Sequence, residues 1–348
     1  MLVREQAPLA PLTTLGLGGP AARLVTAYDE DEVVSTVTTA GRTPLLVLGG
    51  GSNLVVADEG FDGIVVQVAS HGLAATRDGD DVLLTAQAGE DWDALVAHAV
   101  HEGLTGLEAL SGIPGRVGAT PVQNVGAYGA DVSQTVERVR ALDRTSRRVV
   151  ELSGKQCAFG YRASRFKADP ERWVVLAVTF RLGAGPLGAP VRYAELARQL
   201  GVELEGQAPP AQVRSAVLRL RRGKGMVVDP DDPDSRSAGS FFTNPVLDGD
   251  EVVALSGRLG GVDVPGHPEA RGRTKVSAAW LIEHAGFAKG HGRGPVGLSH
   301  KHVLALVHRG GGSTAQLLEV AREVRDGVRD RLGVTLVPEP VLVGGAQL

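Results

Sequence analysis

Apolar and polar positions follow two rhythms along the first half of the chain. Asp29 is placed to cap a short helix through VVSTVTTAG, and PLLVL (44–48) then forms an unbroken apolar run that predicts a buried strand. DGIVVQVAS (62–70) and DDVLLTAQAG (80–89) predict further strands, with turn residues at Asp78-Gly79. After Gly89, the residues Trp92, Leu95, Val96, Ala99 and Val100 recur at helical spacing, which makes 91–102 the clearest amphipathic helix of this half. VERVRALDRTSRRVVEL (136–152) predicts a hairpin and WVVLAVTFRL (173–182) a core strand. Strands outnumber helices and do not alternate strictly with them, so the predicted class is α+β.

The Pro-rich polar stretch LEGQAPPAQ (204–212) predicts the main division, giving domains 1–206 and 207–348. Beyond it a helix through SAVLRLRR enters the loop VVDPDDPDSRSAG. Helices are predicted at 277–285 and 314–332, the second marked by Leu317, Leu318, Val320, Val324, Val328 and Leu332. The strand HVLALVH (302–308) lies between them, and VTLVPEPVLV (334–343) closes the chain, with its last strand able to pack back on the first domain.

Composition narrows the class. At 348 residues, two domains are expected, and 43% hydrophobic with 22% charged residues excludes wholesale disorder. A net charge of −4 argues against a broad nucleic-acid surface, though a local basic pocket fits within it. Cys157 is the only cysteine, which excludes an internal disulfide, a Cys-based zinc site and a CxxC redox pair. The opening MLVREQAPLAPLTTLGLGGP lacks a signal-peptide pattern, and no apolar run approaches the ~18 residues of a membrane span. A soluble, cytoplasmic chain is expected, with no membrane or nucleic-acid partner.

The glycines cluster where chemistry could use them. PLLVL runs into Gly49-Gly50-Gly51-Ser52-Asn53, which is either a tight turn or a cradle of backbone N–H groups for a phosphate. No Gly-Lys-Ser/Thr follows, so it is not a P-loop, and Leu54 breaks the GxGxxG pattern of a Rossmann site. A second segment, SGIPGRVGATPVQNVGAYGADV (111–132), is too apolar for a disordered linker and too broken for a helix or strand. It reads either as an ordinary surface loop or as a second backbone-donor loop. Two such loops suit a long ligand with a central diphosphate, such as FAD.

Other residues carry alternatives. In FGYRASRFK (159–167), Tyr161-Arg162 begins either an anion clamp or a solvated basic face. Ser240 in SAGSFFTNP is a nucleophile, a proton donor or a turn residue; no G-x-S-x-G elbow supports hydrolase chemistry. Glu339, between Pro338 and Pro340, is either at a strand edge or a buried acid suited to proton transfer. Lys224 after RLRRG is a phosphate contact or a complement to the helix dipole. The His98-Ala-Val-His101-Glu102 spacing matches no zinc motif and His300-Lys301-His302 lacks a third ligand, so no metal is expected.

Together and in this order, LGGGSNLVV, SGIPGRVGATPVQNVGAYGADV, FGYRASRFK, SAGSFFTNP, KVSAAWLIE and VPEP resemble the UDP-N-acetylenolpyruvoylglucosamine reductase (MurB) family, from about Leu12 to about Gly344. The resemblance implies an FAD-binding region of the vanillyl-alcohol-oxidase-like type plus a smaller α+β substrate domain. It also implies NADPH-dependent reduction of UDP-N-acetylglucosamine enolpyruvate to UDP-N-acetylmuramate in peptidoglycan precursor synthesis. The flavin would be non-covalent, since Ser52 and Asn53 stand where related oxidases tether it through a histidine. Gly49, Gly50, Gly51, Ser52, Asn53, Gly115, Arg116, Gly118, Gln123, Asn124 and Gly126 would hold FAD. Arg162, Ser240 and Glu339 match the family's catalytic arginine, serine proton donor and glutamate. Tyr161 would orient Arg162, Tyr193 would cover the substrate diphosphate, and Lys224, Asn244, Lys275 and His302 would touch substrate or NADPH. His267 and His302 depart from tyrosine and glutamine found in some members. A monomer is expected. A flavin oxidase on another sugar or alcohol, or a silent nucleotide-sugar- or flavin-binding module, are the competing readings; GSFF with VPEP in the second domain speaks against the first, and the joint presence of Arg162, Ser240 and Glu339 against the second.

Overall fold

The computed structural model describes Met1–Leu348, apart from the side chain of Arg293. The chain forms two compact units, both discontinuous in sequence. The first comprises Met1–Ala7, Ala21–Gly50 and Asp62–Gly223; the second comprises Pro8–Pro20, Gly51–Phe61 and Lys224–Leu348.

The first unit is built on two sheets. One has the order Leu2–Pro8, Pro20–Ala27, Phe61–Val68, Leu45–Leu48, and its last two strands run parallel, with Leu45 opposite Ile64. The other has the order Arg148–Ser153, Val136–Asp143, Trp173–Ala184, Asp81–Gln87, Leu73–Asp78, antiparallel at every pairing, with Leu104–Thr105 joined to Gly183–Ala184. Trp173–Ala184 is flanked by neighbours on both edges and buried along Trp173 to Phe180, which is why its sequence is nearly unbroken apolar rather than alternating. Helix Trp92–His101 starts where Asp91 accepts from the Ala94 amide at 3.0 Å, and it buries Trp92, Leu95, Val96 and Ala99. Trp92 packs on Phe180 with ring centroids 5.7 Å apart, and its indole N–H donates to Leu110 O at 3.1 Å.

The sequence sets the division near Gln207, whereas the compact units part after Gly223. Helix Pro210–Gly223 stays with the first unit because Val213, Ala216 and Val217 bury against Val191, Leu196 and Ala197. Its Arg214 also makes paired bonds of 2.5 and 2.9 Å to the Asp93 carboxylate. Such tertiary ties leave no mark in a local composition shift.

The second unit contains helices Gly249–Arg258, Ala278–His284 and Thr314–Leu332, two three-stranded antiparallel sheets, and a parallel pair of Leu54–Val56 with Val341–Val343. Phe241, Phe242, Leu281, Ile282, Leu317, Val324 and Val328 form its core. Helix Thr314–Leu332 has the bounds that its apolar spacing predicts, with Ser313 and Gln316 forming a reciprocal cap. Two expected strands are shorter than read. Of 302–308 only Leu306–His308 is strand, because His302 O accepts from Ala305 N at 3.1 Å and folds the preceding residues into a turn. Of 334–343 only Val341–Val343 is strand, since Pro338 and Pro340 have no N–H to give a ladder.

Candidate functional site

Gly49 and Gly50 leave the strand Leu45–Leu48 and meet the second glycine-rich segment directly. A Cβ on Gly50 would lie 2.7 Å from the Gly115 Cα, too close for any side chain, so backbone faces backbone here. The second segment is seated by Val117 N to Glu90 O and Gly118 N to Ala88 O, both 2.9 Å, and by Trp92 N to Gly115 O at 3.1 Å. Arg116 lies beside Gly49 in this arrangement. The first loop continues into the second unit, where a Cβ on Gly51 (φ +60°) would run into Leu12 O.

Arg162 occupies the tip of a two-residue turn closed by Gly160 N to Ala163 O at 3.0 Å and Ala163 N to Gly160 O at 3.1 Å. Its φ of +50° is a left-handed conformation that costs a non-glycine residue about 1–2 kcal/mol. The surroundings enforce it. Asn124 Nδ2 donates to Gly160 O at 2.9 Å, Ser164 Oγ to Val122 O at 2.7 Å, and Lys167 Nζ to Gln123 Oε1 at 2.7 Å. The guanidinium itself donates to Gly126 O at 2.9 Å and Asn124 O at 3.4 Å. Asn124 Oδ1 takes the Ser133 amide at 3.1 Å. Gln123, Asn124 and Gly126 therefore form the mount of Arg162, with the Asn124 amide engaged inside the protein.

Sequence reasoning missed a buried neighbour. Arg221, in the last turn of helix Pro210–Gly223, is pulled down to about 10 by burial, against the fields of Tyr128 and Asp93, while Arg162 adds a like charge. Burial pushes the Tyr128 hydroxyl up to about 12, so at neutral pH this corner holds a neutral phenol beside the still-charged Arg221 guanidinium. Tyr193 packs edge-on against Tyr128 at 5.4 Å and keeps 39% of its surface exposed. In RLRRGKG, Arg221 is indistinguishable from an ordinary basic helix end, and only packing singles it out.

In the second unit, Ser240 precedes the fully buried, T-shaped pair Phe241–Phe242. Phe241 N donates to Leu304 O at 2.7 Å, Glu339 N to Phe241 O at 2.9 Å, and Thr243 N to Val337 O at 3.0 Å. Ser240 and Glu339 thus lie on neighbouring, hydrogen-bonded segments, and both are half-buried. Asn53 touches the same place: its Nδ2 donates to Glu339 O at 3.4 Å and its own carbonyl accepts from Val341 N at 2.9 Å. Asn244 Oδ1 accepts from Ala278 N at 2.9 Å at the start of helix Ala278–His284. Lys275 pairs with Glu269 at 2.6 Å, with His267 opposite it across the hairpin. His302 stands in the turn after Ser299, and Lys224 opens the unit after helix Pro210–Gly223. Among the described residues, no three His, Cys, Asp or Glu side chains converge as metal ligands.

Comparison with known proteins agrees along the whole chain. Residues 21–153 match the FAD binding domain, and residues 231–343 match the C-terminal domain of UDP-N-acetylenolpyruvoylglucosamine reductase. A UDP-N-acetylenolpyruvoylglucosamine reductase of Thermobifida fusca is 58% identical over 345 residues, covering 97% of each chain. One from Streptomyces coelicolor is 55% identical over 350 residues, covering 98% of this chain and 90% of its own. The chain belongs to the UDP-N-acetylenolpyruvoylglucosamine reductase family. The crystal structure of the Thermus caldophilus reductase superposes with a TM-score of 0.67 at 26% identity, covering 99% of this chain and all of that one.

As a member of this reductase family, the protein reduces UDP-N-acetylglucosamine enolpyruvate to UDP-N-acetylmuramate, with NADPH as donor and FAD as cofactor, in peptidoglycan precursor synthesis. At Gly49–Gly50 the absent side chains let the first glycine loop lie directly against Gly115 and Arg116 of the second. No helix among the described residues is long and apolar enough to cross a membrane.

Proposed function

We propose that the second half-reaction runs on Arg162, Glu339 and Ser240, acting on the enolpyruvyl group of the nucleotide sugar. FAD, held at the glycine loops, would supply transfer of hydride from NADPH to the terminal vinyl carbon. Negative charge then grows on the adjacent carbon and spreads into the substrate carboxylate. Arg162, fixed by the Gly126 and Asn124 carbonyls, offers a guanidinium that need not reorganise as this charge develops. Arg221 adds positive potential to the same corner of the first unit, suited to the anionic groups of the substrate. Glu339 stabilises the enolate-like species, and Ser240 delivers its hydroxyl proton to the carbon, completing the saturated ether. A serine hydroxyl is a weak acid, so closeness to a strongly basic carbon must carry that step.

The observation that carries this reading is the bond from Glu339 N to Phe241 O, which puts Ser240 and Glu339 on neighbouring, hydrogen-bonded segments although they are far apart in sequence. The two glycine loops, Gly49–Asn53 and Gly115–Gly126, would hold FAD without a covalent bond. Tyr161 and Tyr193, both substantially exposed, would contact the substrate, and Lys224, Asn244, Lys275 and His302 would contact substrate or NADPH. Action in the cytoplasm and as a monomer completes the reading, in keeping with a nucleotide-sugar substrate.

The test is an absorbance spectrum of the purified holoenzyme, followed under anaerobic conditions by NADPH and then UDP-N-acetylglucosamine enolpyruvate. Flavin bands should bleach with the first and return with the second. Bands that bleach but do not return would remove the roles given to Arg162, Glu339 and Ser240.

A further inference from the structure

The loop DPDDPDSRSAG contains a buried acid that the reaction above does not use. Asp234 is only 4% exposed, yet its carboxylate gathers donors from three places. It accepts from His300 N at 2.7 Å, Ser299 Oγ at 3.1 Å and Arg309 Nε at 3.1 Å, with His300 Nδ1 at 3.3 Å. We propose that Asp234 is a positioning residue for the reductase reaction: through the Ser299 hydroxyl it sets the turn bearing His302, and through its own backbone it sets the loop bearing Ser240. This rests on the roles assigned to Ser240 and His302 above.

The connection can be followed bond by bond. Ser299 is fully buried, and its hydroxyl, while donating to Asp234, accepts from Lys301 N at 3.0 Å and His302 N at 3.3 Å. Ser299 N donates to Ala305 O at 2.8 Å and Ala305 N to His302 O at 3.1 Å, which closes the turn. Lys301 Nζ reaches back to Asp232 at 2.7 Å as a second strap. In the other direction, Ser237 N bonds to Ser235 O at 3.0 Å and Gly239 N to Ser237 Oγ at 3.2 Å, carrying the chain to Ser240. Phe241 N then bonds to Leu304 O at 2.7 Å, so the Ser240 loop and the His302 turn are joined at both ends. Gly225, next to Lys224, packs on the Asp234 backbone: a Cβ there would lie 2.9 Å from Asp234 O.

The site requires a carboxylate. Burial alone would favour the acid form, but the His300 amide and the Arg309 guanidinium outweigh it and hold Asp234 below the usual range. An asparagine would point N–H groups at donors and leave Arg309 without its counter-charge.

The test uses holoenzyme carrying Asp234→Asn or Ser299→Ala, with the two half-reactions timed separately. Asp234→Asn should bleach at saturating NADPH within about twofold of wild type while flavin recovery on the enolpyruvyl substrate slows roughly a hundredfold, the scale of a misplaced reacting group. Ser299→Ala, which deletes one hydroxyl and spares the Arg309 pair, should raise the KM for the nucleotide sugar about tenfold and leave kcat within about threefold, as losing one buried hydrogen bond implies. A wild-type KM in Ser299→Ala overturns the proposal, even if Asp234→Asn fails to fold. Equal slowing of both half-reactions in Asp234→Asn overturns it too, as a general loss of structure. Ser240→Ala run alongside tests the underlying roles separately: recovery at the wild-type rate overturns those roles and this proposal with them.

Discussion

The backbone amide of Glu339 donates to the carbonyl oxygen of Phe241 at 2.9 Å. The prolines on either side of Glu339 cannot donate, so this amide, together with Thr243 N to Val337 O at 3.0 Å, holds the VPEP segment to the GSFF segment. The register of the two segments, and with it the separation of Ser240 from Glu339, therefore depends on one short stretch of backbone.

Ser240→Ala should leave bleaching of the flavin by NADPH nearly intact and slow product formation at least a hundredfold, the usual scale of a lost proton donor. Single-turnover absorbance separates the two. Equal loss in both halves would mean that Ser240 is not the proton donor.

Glu339→Gln keeps the backbone bond to Phe241 and changes only the carboxyl group. The expected result is normal flavin content and thermal stability, with the substrate half-reaction slowed ten- to a hundredfold, the order that an electrostatic group contributes. A drop in flavin content would instead assign Glu339 to the cofactor.

Arg162→Ala removes the guanidinium that donates to Gly126 and Asn124. It should damage reduction of the nucleotide sugar by more than a hundredfold while FAD is retained, since the guanidinium acts on developing charge. Recovery of colourless apoprotein would place Arg162 at the cofactor.

Gly50→Ala puts a methyl group 2.7 Å from the Gly115 Cα and must push the two glycine loops apart. The variant should fold yet bind FAD about tenfold more weakly, measurable by flavin fluorescence on titration, because about 1.4 kcal/mol of overpacking at a loop contact is tenfold in affinity. Unchanged affinity would separate these loops from the cofactor.

Asp143 accepts from Arg172 Nε at 3.0 Å and Nη2 at 2.9 Å, and the guanidinium pulls its carboxyl down to about 2 from an ordinary 3.8. A depressed carboxylate stabilises the fold fully above its unfolded value and loses that contribution as pH falls through its folded value. Asp143→Asn should therefore lower the Tm at pH 7, and the gap from wild type should narrow between about pH 4 and about pH 2. A gap independent of pH over that range would rule out the ion pair as its source.

Local pattern made much of the fold legible. Helix Trp92–His101 and helix Thr314–Leu332 were readable because their buried residues recur at helical spacing and their caps are local, Asp91 for one and Ser313 with Gln316 for the other. The strand reading at 302–308 failed because apolar residues in a turn look the same as apolar residues in a strand. The turn at His302–Ala305 is held by the nearby Ser299 hydroxyl, which itself bonds to Asp234, 65 residues earlier in the chain. The candidate site divides in the same way. Arg162, Ser240 and Glu339 sit in motifs distinctive enough to be named from residues alone. Arg221 looked like any helix-end cation, and Asn124 looked like a ligand contact, although its amide holds Gly160 and Ser133.

By itself the sequence determined the family and its chemistry and named candidate residues for it, because these depend on residue types at short spacing. Only the tertiary structure decided which of them meet. It brought Phe241 to Glu339, Gly50 to Gly115 and Arg214 to Asp93, and it kept helix Pro210–Gly223 with the first unit. The physical reason is that such contacts join segments distant in the chain, whose meeting is fixed by the burial of whole faces and the pairing of buried charges, and neither leaves a local signature.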